Sequence, residues 1–389
     1  MEMFFKTSFG FSQARLKSYN LERYSKVATV VVAMSGGVDS SLTAALMKEQ
    51  GHDVIGINMR LHGSGPAEEE QDYSLSKSCC SIVEMEDARK VCQQLDIPFY
   101  AMNFEQEFRK SVIDYFVEEY QRGRTPNPCV ACNAFLKFKF LLGKALALGA
   151  DYLATGHYCR NIFDETSGQY KLTRALDASK DQSYVLYMLN QKQLSRVLFP
   201  LGDYRKSETR AMAAERKLVV ANKPESQDIC FVAGGDYRDF IQRKVGEEVA
   251  LPGPIVNTAG QVVGQHQGLT GYTIGQRKGL GAIASRPTYV LKLVPESNTL
   301  VVGDDLELRA RELEADGVNW VTGAWPSAPV RADIKIRYKA QEMPGTVTPL
   351  DPAQRTVKIV LDNPTRAITP GQAVVFYQGD EVLGGGLIK

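Results

Sequence analysis

The 389-residue sequence predicts an α/β fold: a doubly wound parallel sheet, then a small central domain, then a C-terminal antiparallel β-barrel. Short apolar strands alternate with amphipathic helices from Ala28 to about Leu201, the pattern of a parallel sheet covered on both faces. Val30–Met34 is a continuous, mostly β-branched run, as a fully buried strand requires. Beyond Arg286 the chain is almost all strand, with turns at Pro295–Asn298 and Asp362–Pro364, which predicts the terminal barrel.

The elements follow in order. Strands are expected at Ala28–Met34, Val54–Met59, Phe99–Asn103 and Tyr152–Thr155, with helices at Leu42–Gln50, Met85–Leu95, Phe104–Gln121 and Ala134–Leu148. The last helix places Phe135, Phe138, Leu142 and Ala145 on one face, which is core spacing. Ligands of such sheets bind at the carboxyl ends of the strands, so the loops after Met34, Met59 and Thr155 form the expected rim. The polar, acidic stretch Gly63–Lys77 is expected to be a mobile loop. Lys206–Lys217 reads as a helix, and Gly253–Gly281 is dense in glycine with short strand-like pieces such as Gln261–Gly264. Later strands are expected at Thr288–Leu293, Thr299–Val302, Val330–Tyr338, Thr356–Leu361 and Ala373–Tyr377. The expected division is a flexible tail over residues 1–27, a nucleotide-binding catalytic domain over 28–205, a central linker domain over 206–285 and the barrel over 286–389.

The apolar fraction of 44% and charged fraction of 23% are those of a soluble globular protein. A net charge of +1 excludes a polycation, so any nucleic-acid site must be a local patch. No apolar run approaches the ~20 residues that span a bilayer, and residues 1–27 lack the apolar core of a secretory signal. A cytoplasmic protein with no membrane partner is expected, with a transit peptide or an overcalled start left open for residues 1–27. The seven cysteines, at 79, 80, 92, 129, 132, 159 and 230, are odd in number in a long chain, which argues against a disulfide framework. Cys79, Cys80, Cys92 and Cys159 read as structural.

Three segments carry chemistry. In the first, Gly36 and Gly37 allow a sharp turn after the strand, and Ser40 or Ser41 is placed to cap the following helix. The first amides of that helix make an anion site, to which Ser35 and Ser40 add hydroxyls. Asp39 suits Mg²⁺ or the fixing of the loop. No Walker sequence is present. The order Ser35-Gly36-Gly37-Val38-Asp39-Ser40 resembles the pyrophosphate loop of the ATP-pyrophosphatase superfamily. That resemblance implies an ATP site where an oxygen is adenylated so that it can leave.

The second segment, Gly123–Asn133, reads GRTPNPCVACN. Pro126 and Pro128 stiffen it, and Cys129 and Cys132 form C-x-x-C just before a helix, where a thiol pKa is lowered. Zinc, an iron–sulfur cluster, a dithiol switch and chance all produce such a pair; for zinc a second matched pair is missing. The third segment, Glu225–Phe231, sets Cys230 in a polar turn and by itself reads as an inert, half-buried cysteine.

Taken together and in order, SGGVDS, TPNPCVACN, TGHY (Thr155–Tyr158), KDQSYVLY (Lys180–Tyr187) and ESQDICF resemble the tRNA-specific 2-thiouridylase family, over essentially all of Ala28–Lys389. The resemblance implies a PP-loop ATPase domain, ATP and Mg²⁺ as cofactors, and adenylation of the C2 oxygen of the wobble uridine of tRNA. Replacement by sulfur then gives 2-thiouridine, AMP and pyrophosphate. It also implies a sulfur-donor partner, a cysteine desulfurase or a sulfur relay. Cys230 matches the persulfide-carrying cysteine, and Cys132 the assisting nucleophile, with a Cys132–Cys230 disulfide following sulfur release. ATP contacts map to Ala33, Met34, Ser35, Gly36, Gly37, Val38, Asp39, Ser40, Met59 and Gly156. Positions touching tRNA map to His157, Lys180, Asp181, Gln182, Arg337, Tyr338 and Gln372, and the segment beside the target base to Asn127, Pro128 and Cys129.

One departure matters. Some members carry Asp, a candidate acid/base, where this chain has Cys129. Three thiols, Cys129, Cys132 and Cys230, are enough for a [4Fe–4S] cluster with one open iron, a second route for sulfur. Of the remaining signals, the basic face of Val330–Ala340 (Lys335, Arg337, Lys339) and Lys137, Lys139 and Lys144 suit a phosphate backbone, although a solvated sheet face explains the strand equally. Two rivals stay open: another PP-loop adenylating synthetase, which has no use for the thiols, and a non-catalytic RNA-binding protein, which has no use for the loop.

Overall fold

A computed structural model describes residues 27–61, 82–225, 229–232, 236–245, 251–281 and 287–389. The expected tail up to residue 26, the stretch Gly63–Lys77, Cys79, Cys80 and Ser226–Asp228 lie outside the described residues.

The first sheet contains β1 (Thr29–Ala33), β2 (Asp53–Arg60), β3 (Phe99–Asn103) and β4 (Tyr152–Ala154). The hairpin β5 (Arg160–Asp164) and β6 (Gln169–Thr173) leaves it, and β7 (Val197–Leu198) returns. The order is β3-β2-β1-β4-β7, parallel throughout, as the alternating pattern predicts. Alternate side chains of β1 enter separate cores: Val30 and Val32 pack with Leu42 and Val91, whereas Val31 packs with Ile57 and Phe104. The order reverses beside β1, so the loop leaving β1 opens at the switch point where open α/β sheets bind ligands.

Helix Ile82–Gln94 packs on β2 and β3. Residues 105–121 form one helix, with a π-helical stretch at Arg109–Asp114. Residues 128–147 form another, with a π-helical stretch at Cys132–Leu141. That second helix starts six residues before the expected Ala134, because Asn127 caps it and Pro128 occupies its first turn.

The central sheet holds β8 (Gly253–Asn257), β9 (Val262–His266), β10 (Tyr289–Val294) and β11 (Thr299–Gly303) in the order β10-β11-β8-β9. The strands at 289–303, read from sequence as the start of the terminal strand run, therefore pair with the glycine-rich segment through β11 and β8. The barrel comprises β12 (Arg309–Trp320), β13 (Val330–Lys335), β14 (Met343–Asp351), β15 (Thr356–Arg366), β16 (Ala373–Gln378) and β17 (Glu381–Ile388). It is antiparallel and closes by β12 pairing with β17. Ala332, Ile334 and Ile336 point into its core, as the alternation predicts, whereas Tyr338 is 39% exposed beyond the strand end.

The barrel is tied to the parallel sheet. Tyr184 donates to the Ala373 carbonyl at 2.7 Å, and Asn319 donates to the carbonyls of Tyr187 and Leu189 at 2.8 and 3.1 Å. The Thr125 amide donates to the Pro370 carbonyl at 2.8 Å, which seats the TPNPC loop against the barrel.

Candidate active site

The phosphate loop is built from its own backbone. Helix Val38–Glu49 begins directly after Gly37, so Ser40 and Ser41 lie inside its first turn instead of capping it. Both hydroxyls donate to the Gly37 carbonyl, at 3.2 and 2.8 Å, and Ser40 Oγ accepts the Ser35 amide at 3.2 Å. Asn58, buried under the loop, donates to the Met34 carbonyl at 2.7 Å. Gly36 has φ +76°, and a Cβ there would lie 2.1 Å from the Glu84 carbonyl oxygen, so no other residue fits. A Cβ on Gly156 would lie 2.9 Å from the Ser40 amide, so the loop after β4 presses on the first turn of this helix. Gly156 thus adjoins Asp39 and Ser40, and the first amides of a helix beginning here are of the kind that bind anions. Met59 lies on β2, partly buried against the core.

Asp39 is committed to protein donors. Lys206 Nζ bonds both of its oxygens at 2.7 Å, and the Tyr158 hydroxyl donates at 2.8 Å. A carboxylate so occupied fixes the loop and does not fit as a Mg²⁺ ligand while Lys206 stays. Lys206, whose side chain is 11% exposed, also meets Glu225 at 3.2 Å, and Glu225 accepts from Lys180 at 2.7 Å. A second cation, Lys223, donates to the Gly36 carbonyl at 3.1 Å and pairs with Asp87 and Glu84 at 2.6 and 2.8 Å. Sequence reading missed Lys206, Lys223 and Glu225 as site residues. A lysine opening a helix normally reads as solvated, and these partners are remote along the chain.

The thiols differ in setting. Cys129 is exposed in the first turn of the 128–147 helix, where Asn127 Oδ1 accepts its amide at 3.1 Å and that of Val130 at 3.3 Å. Cys132 and Cys230 are half-buried at the margin of the same core. Phe231 anchors the Cys230 turn, with its ring 5.3 Å from Phe116, 5.8 Å from Phe108 and 5.2 Å from Phe240. Cys92 and Cys159 are fully buried, and burial pushes the Cys92 thiol up to about 12 and the Cys159 thiol well above its usual range, so both are inert packing residues. Among the described residues no three His, Cys, Asp or Glu side chains form a metal-holding group. Cys129, Cys132 and Cys230 are not among such a group, so nothing in this arrangement supports a [4Fe–4S] cluster on them.

The remaining predicted residues are spread over several elements. Tyr338 donates to the Asp181 carbonyl at 3.2 Å; burial raises its pKa, as do Asp181 and Cys129, against the charge of Lys180. Cys129, Lys180, Asp181 and Tyr338 thus share one neighbourhood. The Asp181 carboxylate is taken up by the Ala175 and Ser183 amides and the Ser183 hydroxyl, and Gln182 accepts the Tyr158 amide at 2.9 Å. Gln372 donates to the Thr125 carbonyl at 2.8 Å, and Arg337 to the Arg366 carbonyl at 3.2 Å. His157 is 7% exposed between Phe138 and Phe199, with Nδ1 2.7 Å from Thr155 Oγ1 and Nε2 3.4 Å from Lys137 Nζ. Burial, and next the Lys137 charge, hold it well below its usual pKa, hence neutral. Among the described residues no helix is long and apolar enough to cross a membrane.

A parallel sheet with this loop at its switch point, joined to a barrel, defines an ATP-using enzyme of the PP-loop class. Residues 28–234 match the family profile described as "tRNA methyl transferase HUP domain", 238–304 its PRC-barrel domain, and 310–388 an "Aminomethyltransferase beta-barrel domain". A tRNA-specific 2-thiouridylase MnmA of Roseiflexus castenholzii is 49% identical over 93% of this chain and 99% of its own length. The protein of the same name from Moorella thermoacetica is 51% identical over 92% of this chain and 99% of its own, and that from Carboxydothermus hydrogenoformans 50% over 92% and 97%. The chain belongs to the tRNA-specific 2-thiouridylase family. The profile description speaks of methyl transfer; identity near one half along nearly the whole chain is the stronger statement. A solved 4-thiouridine synthetase–RNA complex with ATP aligns over 56% of this chain and 50% of its own at 15% identity and a TM-score of 0.32, too loose to carry an argument.

Proposed function

We propose that this protein is an ATP-dependent tRNA-uridine 2-sulfurtransferase that thiolates the wobble uridine at C2 through a persulfide on Cys230. The observation that carries this reading is the ion-pair chain Asp39–Lys206–Glu225, which runs from the phosphate loop to the segment leading to Cys230. ATP lies along Ala33–Ser40 with Met59 and Gly156, its triphosphate on the helix N-terminus. Mg²⁺ arrives with the phosphates, since it binds chiefly through phosphate oxygens and water. Asn127, Pro128 and Cys129 sit beside the extruded base, and Lys180, Arg337, Tyr338 and Gln372 meet the tRNA, with His157, Asp181 and Gln182 shaping the same rim.

The uridine C2 oxygen attacks the α-phosphorus, and pyrophosphate leaves. The terminal sulfur of the Cys230 persulfide then attacks C2, and the C2–O bond breaks with release of AMP. The Cys132 thiolate attacks Cys230 Sγ, the Cys230–sulfur bond breaks onto the base, and a Cys132–Cys230 disulfide remains. An external thiol reduces that disulfide, and a sulfur-donor protein reloads Cys230. Cys129, in the helix first turn, exchanges a proton with the base in this reading.

The test is incubation of purified protein with tRNA transcript, ATP–Mg²⁺ and a persulfide donor, with nucleoside mass spectrometry and AMP assay. One 2-thiouridine per AMP is the expected result. AMP formation with no thionucleoside, or thiolation that survives in both Cys132→Ala and Cys230→Ala, overturns it.

A further inference from the structure

The chain that leads into Asn127, Pro128 and Cys129 lies where the parallel-sheet region, the central sheet and the barrel meet. Gly123, at φ +70°, passes so close to the central sheet that a Cβ there would lie 2.9 Å from Pro295 Cγ. Arg124 pairs with the buried Glu119 at 2.8 Å and donates to the Ile388 carbonyl, at the end of β17, at 3.2 Å. Thr125 is held at each of its polar groups. Its amide donates to the Pro370 carbonyl at 2.8 Å, its carbonyl accepts from Gln372 Nε2 at 2.8 Å, and its hydroxyl lies 3.5 Å from that of Thr273.

The turn that grips Thr125 is itself tied to the last barrel strand. The Gly371 amide donates to the Ile388 carbonyl and the Ile388 amide to the Gln372 carbonyl, both at 2.9 Å. Gly371 has φ +87°, and a Cβ there would lie 3.0 Å from the Thr125 amide nitrogen and from Arg124 Cβ, so turn and loop are in close contact. The two bonds to the Thr125 backbone do different work. The one from its amide to Pro370 fixes where the chain arrives. The one from Gln372 fixes the peptide unit through which it leaves into Pro126. Pro126 and Pro128 offer no amide of their own, and their rings restrict both themselves and the residues before them. The orientation of the Thr125 carbonyl is therefore passed on to Asn127 with little slack, and Asn127 Oδ1 holds the amides of Cys129 and Val130.

We propose that Gln372 is a positioning residue: from the barrel it sets the Thr125–Pro126 peptide, and through it the placement of Asn127, Pro128 and Cys129. The family resemblance gives Gln372 to tRNA contact, which is a different role with a different signature. In this reading the barrel completes the active site as well as offering a surface to RNA. The inference rests on residues 127–129 lying beside the target base, as proposed above, but half of its test does not.

The experiment compares full-length wild type with Gln372→Met, which keeps the length of the side chain and loses the donor. The first measurement is amide hydrogen exchange without ATP or tRNA, resolved to single amides by fragmentation mass spectrometry. Exchange at Cys129 and Val130 is expected to speed up at least threefold, while the Thr125 amide, still bonded to Pro370, and strands β1, β16 and β17 stay within twofold. The second is steady-state thiolation, where kcat should fall at least fivefold with KM for tRNA within twofold. Gln372→Glu, which keeps size and polarity and offers the carbonyl only an acceptor when ionised, should behave alike and decides the matter if Gln372→Met loosens β16 or β17. Unchanged exchange at Cys129 and Val130, a loss confined to KM for tRNA, or loosening of the barrel by both variants to the same extent as residues 127–130 overturns the proposal. A wild type that does not thiolate tRNA defeats the functional reading alone, and the exchange measurement then decides the positioning role by itself.

Discussion

The phosphate loop and the thiol region meet in one domain but are held in place by different means. The loop is specified by contiguous residues: β1 delivers it, Gly36 turns it, and Ser35, Ser40 and Ser41 bond within it, with Gly156 pressing from the next rim loop. The thiol region is assembled from remote pieces, each with a single device. Asn127 caps the turn that bears Cys129, and Phe231 pins the turn that bears Cys230. The phosphate loop is held by hydrogen bonds and close contacts among its own residues. The thiol region instead depends on single side chains supplied by separate elements.

The sharpest way to break that contrast is to remove an anchor from the thiol side. Phe231→Ala deletes a fully buried ring and should cost about 3–5 kcal/mol in urea unfolding. The folded fraction should still bind ATP within threefold of wild type by calorimetry. On the loop side, Gly36→Ala forces a side chain into positive φ against the Glu84 backbone, with strain of about 1–3 kcal/mol. Its ATP affinity should fall at least a hundredfold, so the smaller stability loss carries the larger binding loss. Equal effects of both variants on ATP binding would erase the distinction.

His157 tests whether its pocket between Phe138 and Phe199 stays dry. Its pKa is depressed in the fold from an ordinary 6.5, so below that pH the unfolded chain binds a proton that the folded chain does not. Stability is therefore fully present above about pH 6.5 and is lost as pH falls, by up to about 1.4 kcal/mol per pH unit. The difference between wild type and His157→Gln, followed by denaturant melts from pH 7 to 5, should show that slope. Smallest is Asn127→Ala, which removes a cap and should cost about 1 kcal/mol. It should also alter Cys129 alkylation while leaving Cys230 unchanged.

The same contrast explains what the sequence revealed. β1, the loop and β3 were legible because their signal is local: a β-branched run, paired glycines, turns at both ends. The start of the 128–147 helix has a local signal too, Asn127 followed by Pro128, but two prolines so close together equally suit extended chain. β12 carries the polar run RARELEADGVNW and β17 the triplet Gly384-Gly385-Gly386, and neither has a strand signal of its own; barrel closure makes them strands. Lys206 and Glu225 were invisible because their meaning lies in partners on other elements. The motif order singles out Cys132 and Cys230 only through the family resemblance, because sequence spacing cannot show which thiols the fold brings together.

The most direct test of the account is a single-turnover reaction of Cys230→Ser with α-labelled ATP and tRNA, resolved for adenylated tRNA, AMP and 2-thiouridine. Separate machinery for activation and sulfur transfer predicts that adenylated tRNA forms at close to the wild-type rate and persists, with 2-thiouridine reduced more than a thousandfold. Thiolation at a wild-type rate, or an enzyme that no longer adenylates tRNA although it binds ATP, would contradict it.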